Sequence, residues 1–246
     1  MMRAPFALSL LLAASGALAQ GQDQFPLPPK DWPKPVMDTE RLTFLLFDRL
    51  EYRAKSGKDA WGWDAQGWWG GDYNKFWFKS EGEGEWRGAA ESADVQALYA
   101  RRISPYFHLQ AGVRQEARPR PSRNQGVLAI QGLAPYWFNV EGSLFFGNGI
   151  AGRFEAEYDQ LLTQRLILQP RVETNFSGSA DREREVGSGI NDIELGLRLR
   201  YEIRREFAPY IGIEWTRKLG ATADFARAAG RDTSETALVL GLRVWY

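Results

Sequence analysis

The chain has 246 residues, a formal net charge of zero and 25% charged residues, so charge gives no reason to expect nucleic acid as a partner. It has no cysteine and a single histidine, His108, which excludes disulfides, thiolate metal sites and thiol nucleophiles and leaves little imidazole chemistry. Ten tryptophans and 25 glycines suit β-structure against a membrane interface better than an enzyme core.

Residues 1–19 read as a secretory signal peptide, with Arg3, an apolar run over 6–12, and a small-x-small site at Ala17-Leu18-Ala19 ahead of Gln20. Residues 20–38 carry Pro26, Pro28, Pro29, Pro33 and Pro35 and read as a flexible, extended periplasmic arm. Over 39–246 no apolar run has the length of a membrane helix, and no amphipathic helix of useful length is expected. Residues alternate instead between apolar and polar, the mark of strands.

The first such segment, 42–53, breaks the rule. Placing Arg49, Glu51 and Arg53 on one face leaves Asp48 on the other, which a bulge, another register or a place near the interface would repair. Trp61, Trp63, Trp68 and Trp69 read as an interfacial girdle. Phe107, Leu109, Ala111 and Val113 alternate with His108, Gln110, Gly112, Arg114 and Glu116. Phe138, Val140, Gly142, Leu144 and Phe146 alternate less cleanly with Trp137, Asn139, Glu141, Ser143 and Phe145. Phe154, Ala156 and Tyr158 alternate with Arg153, Glu155, Glu157 and Asp159. Over 192–204 one face is wholly apolar and the other is charged apart from Gly196. The last segment puts Leu238, Leu240, Leu242, Val244 and Tyr246 on one face and Ala237, Val239, Gly241, Arg243 and Trp245 on the other.

Short turns are expected at Gly70-Gly71-Asp72, Ser104-Pro105-Tyr106, Ala134-Pro135-Tyr136, Thr163-Gln164-Arg165 and Ala208-Pro209-Tyr210, and longer loops at 55–59, 82–90, 116–124, 178–188 and 220–233. Short turns at one end and longer loops at the other, with about twelve strands between them, predict an all-β, antiparallel transmembrane barrel over 39–246. Both chain ends and the Pro-Tyr turns then lie on the periplasmic side. A soluble barrel or sandwich shares the alternation; the export signal, aromatic load and terminal strand favour the outer membrane, with its lipid around the barrel.

Several strings resemble the copper resistance protein B family. They are Phe47-Asp48-Arg49-Leu50-Glu51-Tyr52; Gly67-Trp68-Trp69-Gly70-Gly71-Asp72-Tyr73-Asn74-Lys75-Phe76-Trp77; Gly132-Leu133-Ala134-Pro135-Tyr136-Trp137-Phe138; Arg153-Phe154-Glu155-Ala156-Glu157-Tyr158; Leu166-Ile167-Leu168-Gln169-Pro170; and the run from Gly196 to Tyr210. The resemblance runs from about Thr39 to the C-terminus. It implies an outer-membrane protein of bacterial copper resistance that binds or passes copper ions, with a periplasmic copper oxidase or copper carrier as partner. Many members of the family carry a Met- and His-rich N-terminal region. Here Met37 is the only sulfur ligand between Gln20 and Asp38, and no histidine occurs there.

The candidate copper ligands face the expected lumen: His108, with Glu141, Glu155, Glu157 and Glu194. Asp159, Glu173, Asp192 and Glu214 are expected to point the same way, among Arg153, Arg171, Arg198, Arg200 and Lys218, which would form a structural ion-pair network. A non-selective or structural outer-membrane barrel without copper binding is the alternative. An outer-membrane lipid enzyme is less favoured, because its nucleophile and base would have to face the membrane and His108 is expected to face inward.

Overall fold

The computed structural model describes residues 40–246. The expected signal peptide, 1–19, and the expected arm, 20–38, lie outside the described residues. Antiparallel strands run in chain order: β1 (Leu42–Lys55), β2 (Ala60–Gly70), β3 (Asn74–Glu85), β4 (Ala90–Arg102), β5 (Phe107–Arg118), β6 (Arg123–Ala134), β7 (Phe138–Phe146), β8 (Ile150–Tyr158), β9 (Gln160–Leu161), β10 (Leu166–Ser177), β11 (Gly189–Tyr201), β12 (Phe207–Lys218) and β13 (Ser234–Trp245). Each long strand pairs with its neighbours in sequence, and β13 pairs with β1, so the sheet closes. The two-residue β9 pairs only with β10 and continues the line of β8 after a break at Asp159. The result is a closed barrel of twelve strands with one short extra strand, as the alternation predicts. Closure leaves no sheet edge, which is the condition for crossing hydrocarbon with strands.

The strand faces follow the period-2 rule. Leu109, Val113, Leu128, Ile130, Phe154, Leu195, Leu197, Ile211, Ile213, Leu238 and Leu240 are exposed on the outside, whereas Glu51, Gln110, Arg171, Arg198 and Glu214 are buried inside. An apolar exterior over a charged interior is inverted relative to a soluble fold and matches a barrel set in lipid. Trp61 and Trp63 stack outside at 5.2 Å, and Trp63 covers Gly82, where any side chain would collide with the indole ring. Tyr52 and Trp86 meet edge to face at 4.9 Å at the same end of the barrel. At the other end Trp69 faces out, with the Arg41 guanidinium 4.8 Å from its ring. Aromatic side chains thus stand outside at both ends of the barrel, where interfacial girdles lie in barrels of this class.

Four details differ from the sequence reading, and a fifth, the place of Asp48, is resolved by the bulge it allowed for. Trp68 does not join the girdle; it lines the lumen. Asp48 also faces inward, because β1 bulges between Phe47 and Leu50 against β13 and between Phe47 and Arg49 against β2. Ala208-Pro209-Tyr210 is not a turn. The turn lies over 202–206, and Pro209 sits in β12 beyond the last residue that pairs with β11, where its missing N–H interrupts no ladder on that side. Tyr210 consequently points inward. Trp137 belongs to a 3-10 turn, Pro135–Trp137, and not to the inner face of β7. Tyr136 and Trp137 both hold positive φ there, at 65° and 67°. Finally, the loop expected over 220–233 contains a helix, α1 (Gly220–Ala228), whose Thr222, Ala223 and Ala226 are buried.

Pro170 shows how the same chemistry is accommodated mid-strand. It pairs with Leu197 on one side, and on the other it falls where β10 changes partner from β9 to β8. A residue without an N–H donor is tolerated where a ladder is interrupted.

Candidate functional site in the lumen

Adjacent strands present their carboxylates at matching heights. Glu141 on β7 stands opposite Glu155 on β8, Glu155 opposite Glu173 on β10, and Glu173 opposite Glu194 on β11. On the far wall Asp64 of β2 stands opposite Glu81 of β3, and Glu81 opposite Asp94 of β4. Like charges directly across a ladder repel. Two acidic arcs of this kind persist only with cations placed between them.

Arginines supply those cations. Arg171, only 3% exposed, donates to Glu155 at 2.8 and 2.9 Å, to Glu194 at 2.6 Å, and to Glu173. Arg49 donates to Asp64 at 2.7 Å, and Arg114 to Asp94. Lys79 on β3 reaches Glu141 on β7 at 2.5 Å. Arg153 on β8 donates to Glu81 on β3, and its Nε lies 3.3 Å from Glu173. A second group stitches the closing seam: Arg198 donates to Glu51 and to Glu214, each at 2.7 Å, Arg53 donates to Glu51 at 3.0 Å, and Tyr210 donates its hydroxyl proton to Glu51 at 3.0 Å. Arg153, Arg171 and Arg198 thus form the expected ion pairs, and Arg200 pairs with Asp159 at 2.8 Å, whereas Lys218 makes no ion pair among the described residues.

One wall of the lumen is apolar, which the sequence reading did not anticipate. Trp77, Leu98, Ala100, Val127, Ala129 and Phe145 form a buried cluster. His108 packs against it, its ring 5.8 Å from Trp77 and edge to face. The His108 Nε2 is buried without a hydrogen-bond partner.

Two cavities flank the acidic arcs. One, of about 340 Å³, lies toward the end that carries Glu40 and Tyr246; His108, Glu141, Glu155 and Glu157 all line it, with Asp48, Asp64 and Glu81. Its lining has six carboxylates, Asp48, Asp64, Glu81, Glu141, Glu155 and Glu157, against three cationic side chains, Lys79, Arg153 and Arg243. That excess favours cations. The other cavity, of about 390 Å³, lies toward the long loops and includes Glu194. The structure thus brings four of the five candidate residues around one space and puts Glu194 in the next. Asp64, Glu81 and Asp94 escaped the sequence reading. Trp77, Lys79, Glu81 and Glu83 do alternate with Phe76, Phe78, Ser80 and Gly82, so a signal for Glu81 existed, in a stretch where a loop was expected to begin one residue later.

Among the described residues no cluster of three or more His, Cys, Asp or Glu is placed to hold a metal ion. Imidazole and carboxylate donors suit Cu(II), whereas Cu(I) selects thioether or thiolate; the chain's methionines, Met1, Met2 and Met37, all lie before the barrel. The cavity beside His108 therefore offers imidazole and carboxylate donors without a thioether.

Comparison with known proteins gives the chain its family. Residues 41–246 match the family model described as Copper resistance protein B precursor (CopB). Copper resistance protein B of Escherichia coli is 44% identical over 213 residues, spanning 86% of this chain and 72% of that protein. The Copper resistance protein B homolog of Pseudomonas syringae pv. tomato is 42% identical over the same shares. Among solved structures the NanC porin superposes with a TM-score of 0.56 at 14% identity, covering 80% of this chain and 98% of that one, a likeness of fold. With its closed barrel, apolar exterior and matched sequence over the whole of the described strands, the chain belongs to the copper resistance protein B family.

Proposed function

We propose that this protein is a non-enzymatic outer-membrane barrel of copper resistance whose lumen receives copper ions from the periplasmic side. On this reading residues 1–19 direct export, 20–38 form a periplasmic arm, and the end carrying Glu40 and Tyr246 faces the periplasm. A periplasmic copper oxidase or copper carrier would deliver or collect the ion there. The observation that carries the reading is the convergence of His108, Glu141, Glu155 and Glu157 on one acidic cavity in a member of this family. Glu157 is the most available of the three glutamates. It accepts hydrogen bonds from Gln169 at 3.2 Å and Asn139 at 3.4 Å, whereas Glu141 and Glu155 are engaged by Lys79 and Arg171. His108 supplies the single nitrogen donor, and Glu194 would meet an ion only beyond the arcs. The inward position of the chain's one histidine also argues against a lipid enzyme, whose base must reach the membrane face.

The cross-lumen ion pairs favour a second reading, a closed structural barrel without copper traffic. Copper flux into liposomes holding the purified barrel, compared with a neutral solute of similar size, separates the two. Copper entry that exceeds the neutral solute and falls in His108→Ala supports the proposal. Equal passage of both solutes indicates an ordinary pore, and passage of neither leaves a closed barrel.

A further inference from the structure

Among the described residues, Glu81 and Arg153 alone line both cavities. They belong to β3 and β8, separated in the sheet by β4, β5, β6 and β7, so their ion pair spans the lumen from wall to wall. The other pairs at this height do not combine these properties. Arg49–Asp64 joins the adjacent strands β1 and β2 and runs along the wall. Lys79–Glu141 also crosses the lumen, but both partners line only the cavity that holds His108.

We propose that Glu81–Arg153 is the barrier between the two cavities, and that a cation passes it by taking Glu81 from Arg153. This rests on the reading of the lumen as a cation path and names the residues that decide its selectivity. Both side chains keep some exposure to the lumen, 24% for Glu81 and 18% for Arg153, so an ion can reach them. Arg153 has somewhere else to bond: its Nε already donates to Asn175 at 3.1 Å and lies 3.3 Å from Glu173, both on β10. Release of Glu81 therefore leaves the guanidinium partnered on its own side of the barrel. Arg114, 3.8 Å from Glu81 on the opposite side, keeps the freed carboxylate from facing the lumen uncompensated. An anion gains nothing at this point, since it would have to separate Arg153 from two glutamates.

The test is conductance of the purified full barrel in planar bilayers in potassium chloride, with the potassium-to-chloride permeability ratio read from reversal potentials. The wild type should conduct weakly. Arg153→Met should raise conductance several-fold and shift the ratio toward potassium, because Glu81 and Glu173 lose their cation. Glu81→Gln should raise conductance with a smaller cation preference. The proposal is overturned if both single variants conduct like the wild type. Should Arg153→Met fail to assemble, Glu81→Gln carries the same test, since the amide keeps the size and can still accept a hydrogen bond from Arg153. Potassium results as expected with no copper flux would retire the copper reading and leave the barrier standing. Copper flux with unaltered potassium conductance in both variants would do the reverse.

Discussion

Residues in the lumen are held by charge balance, and single substitutions there should have large effects. Arg171 stands among three carboxylates that face one another across successive ladders. Arg171→Met leaves Glu155, Glu173 and Glu194 to repel in a confined space, and the cost of stranding a buried charge is about 3–5 kcal/mol. A lower urea midpoint, together with loss of the compact band on unheated gels, would show it; an unchanged midpoint would mean that water already screens the arc. The loop end has a milder electrostatic clasp. The Arg123 side chain donates to Asp181 and holds its carboxyl below the usual carboxylate range, helped by the Arg184 N–H at 3.3 Å. A folded-state pKa below the unfolded one gives stability that is fully present above the unfolded value, about 3.9 for an aspartate, and is lost as pH falls through the lower folded value. Loop 178–188 should therefore resist hydrogen exchange at neutral pH and open in acid, and Asp181→Asn should open it at neutral pH as well. At this scale the alternation revealed which way His108 and Glu155 point, because period 2 leaves only two choices. It did not reveal which carboxylates share a height, since register is set between strands and not along one.

Among the elements, the regular strands were legible and the exceptions had specific causes. In β13 the sequence states both faces without a break, and Leu238 and Leu240 stand outside as expected. Leu240→Arg puts a charge on the lipid face near the middle of the strand and should cost about 2–4 kcal/mol if that position lies at the bilayer midplane, falling toward zero near an interface. Unfolding in lipid vesicles, set beside the same change at Tyr246, would measure the difference. In β1 the clash between Asp48 and Arg49 signalled an irregularity without locating it. The bulge lets both point inward, where Asp48 forms an ion pair with Arg243 at 2.7 Å. Tyr210 was misplaced because Ala-Pro-Tyr also occurs at 134–136, where it does form a turn; at 208–210 the preceding residues 202–206 already turn the chain. The helix α1 was passed over as loop despite four alanines within 220–228, the strongest local helix signal available. Its Thr222 accepts from the Gly187 N–H at 2.8 Å, which ties the two longest loops together over the barrel mouth.

For the whole molecule, closure and inversion decide the class. Apolar residues surround the outside of a sheet with no edge, and ion pairs fill much of the inside, so the barrel is neither a soluble sandwich nor a wide porin. The excess of carboxylates in the cavity beside His108 favours cations there, and the family is one of copper resistance. The most direct test of the claim that copper enters this cavity is electron paramagnetic resonance of Cu(II) added to the purified barrel, wild type and His108→Ala, in a buffer that does not bind copper. The expected spectrum shows hyperfine coupling to a single imidazole nitrogen, weakened by Glu157→Gln and lost in His108→Ala. A wild-type spectrum without nitrogen coupling, or one unchanged by His108→Ala, would contradict it.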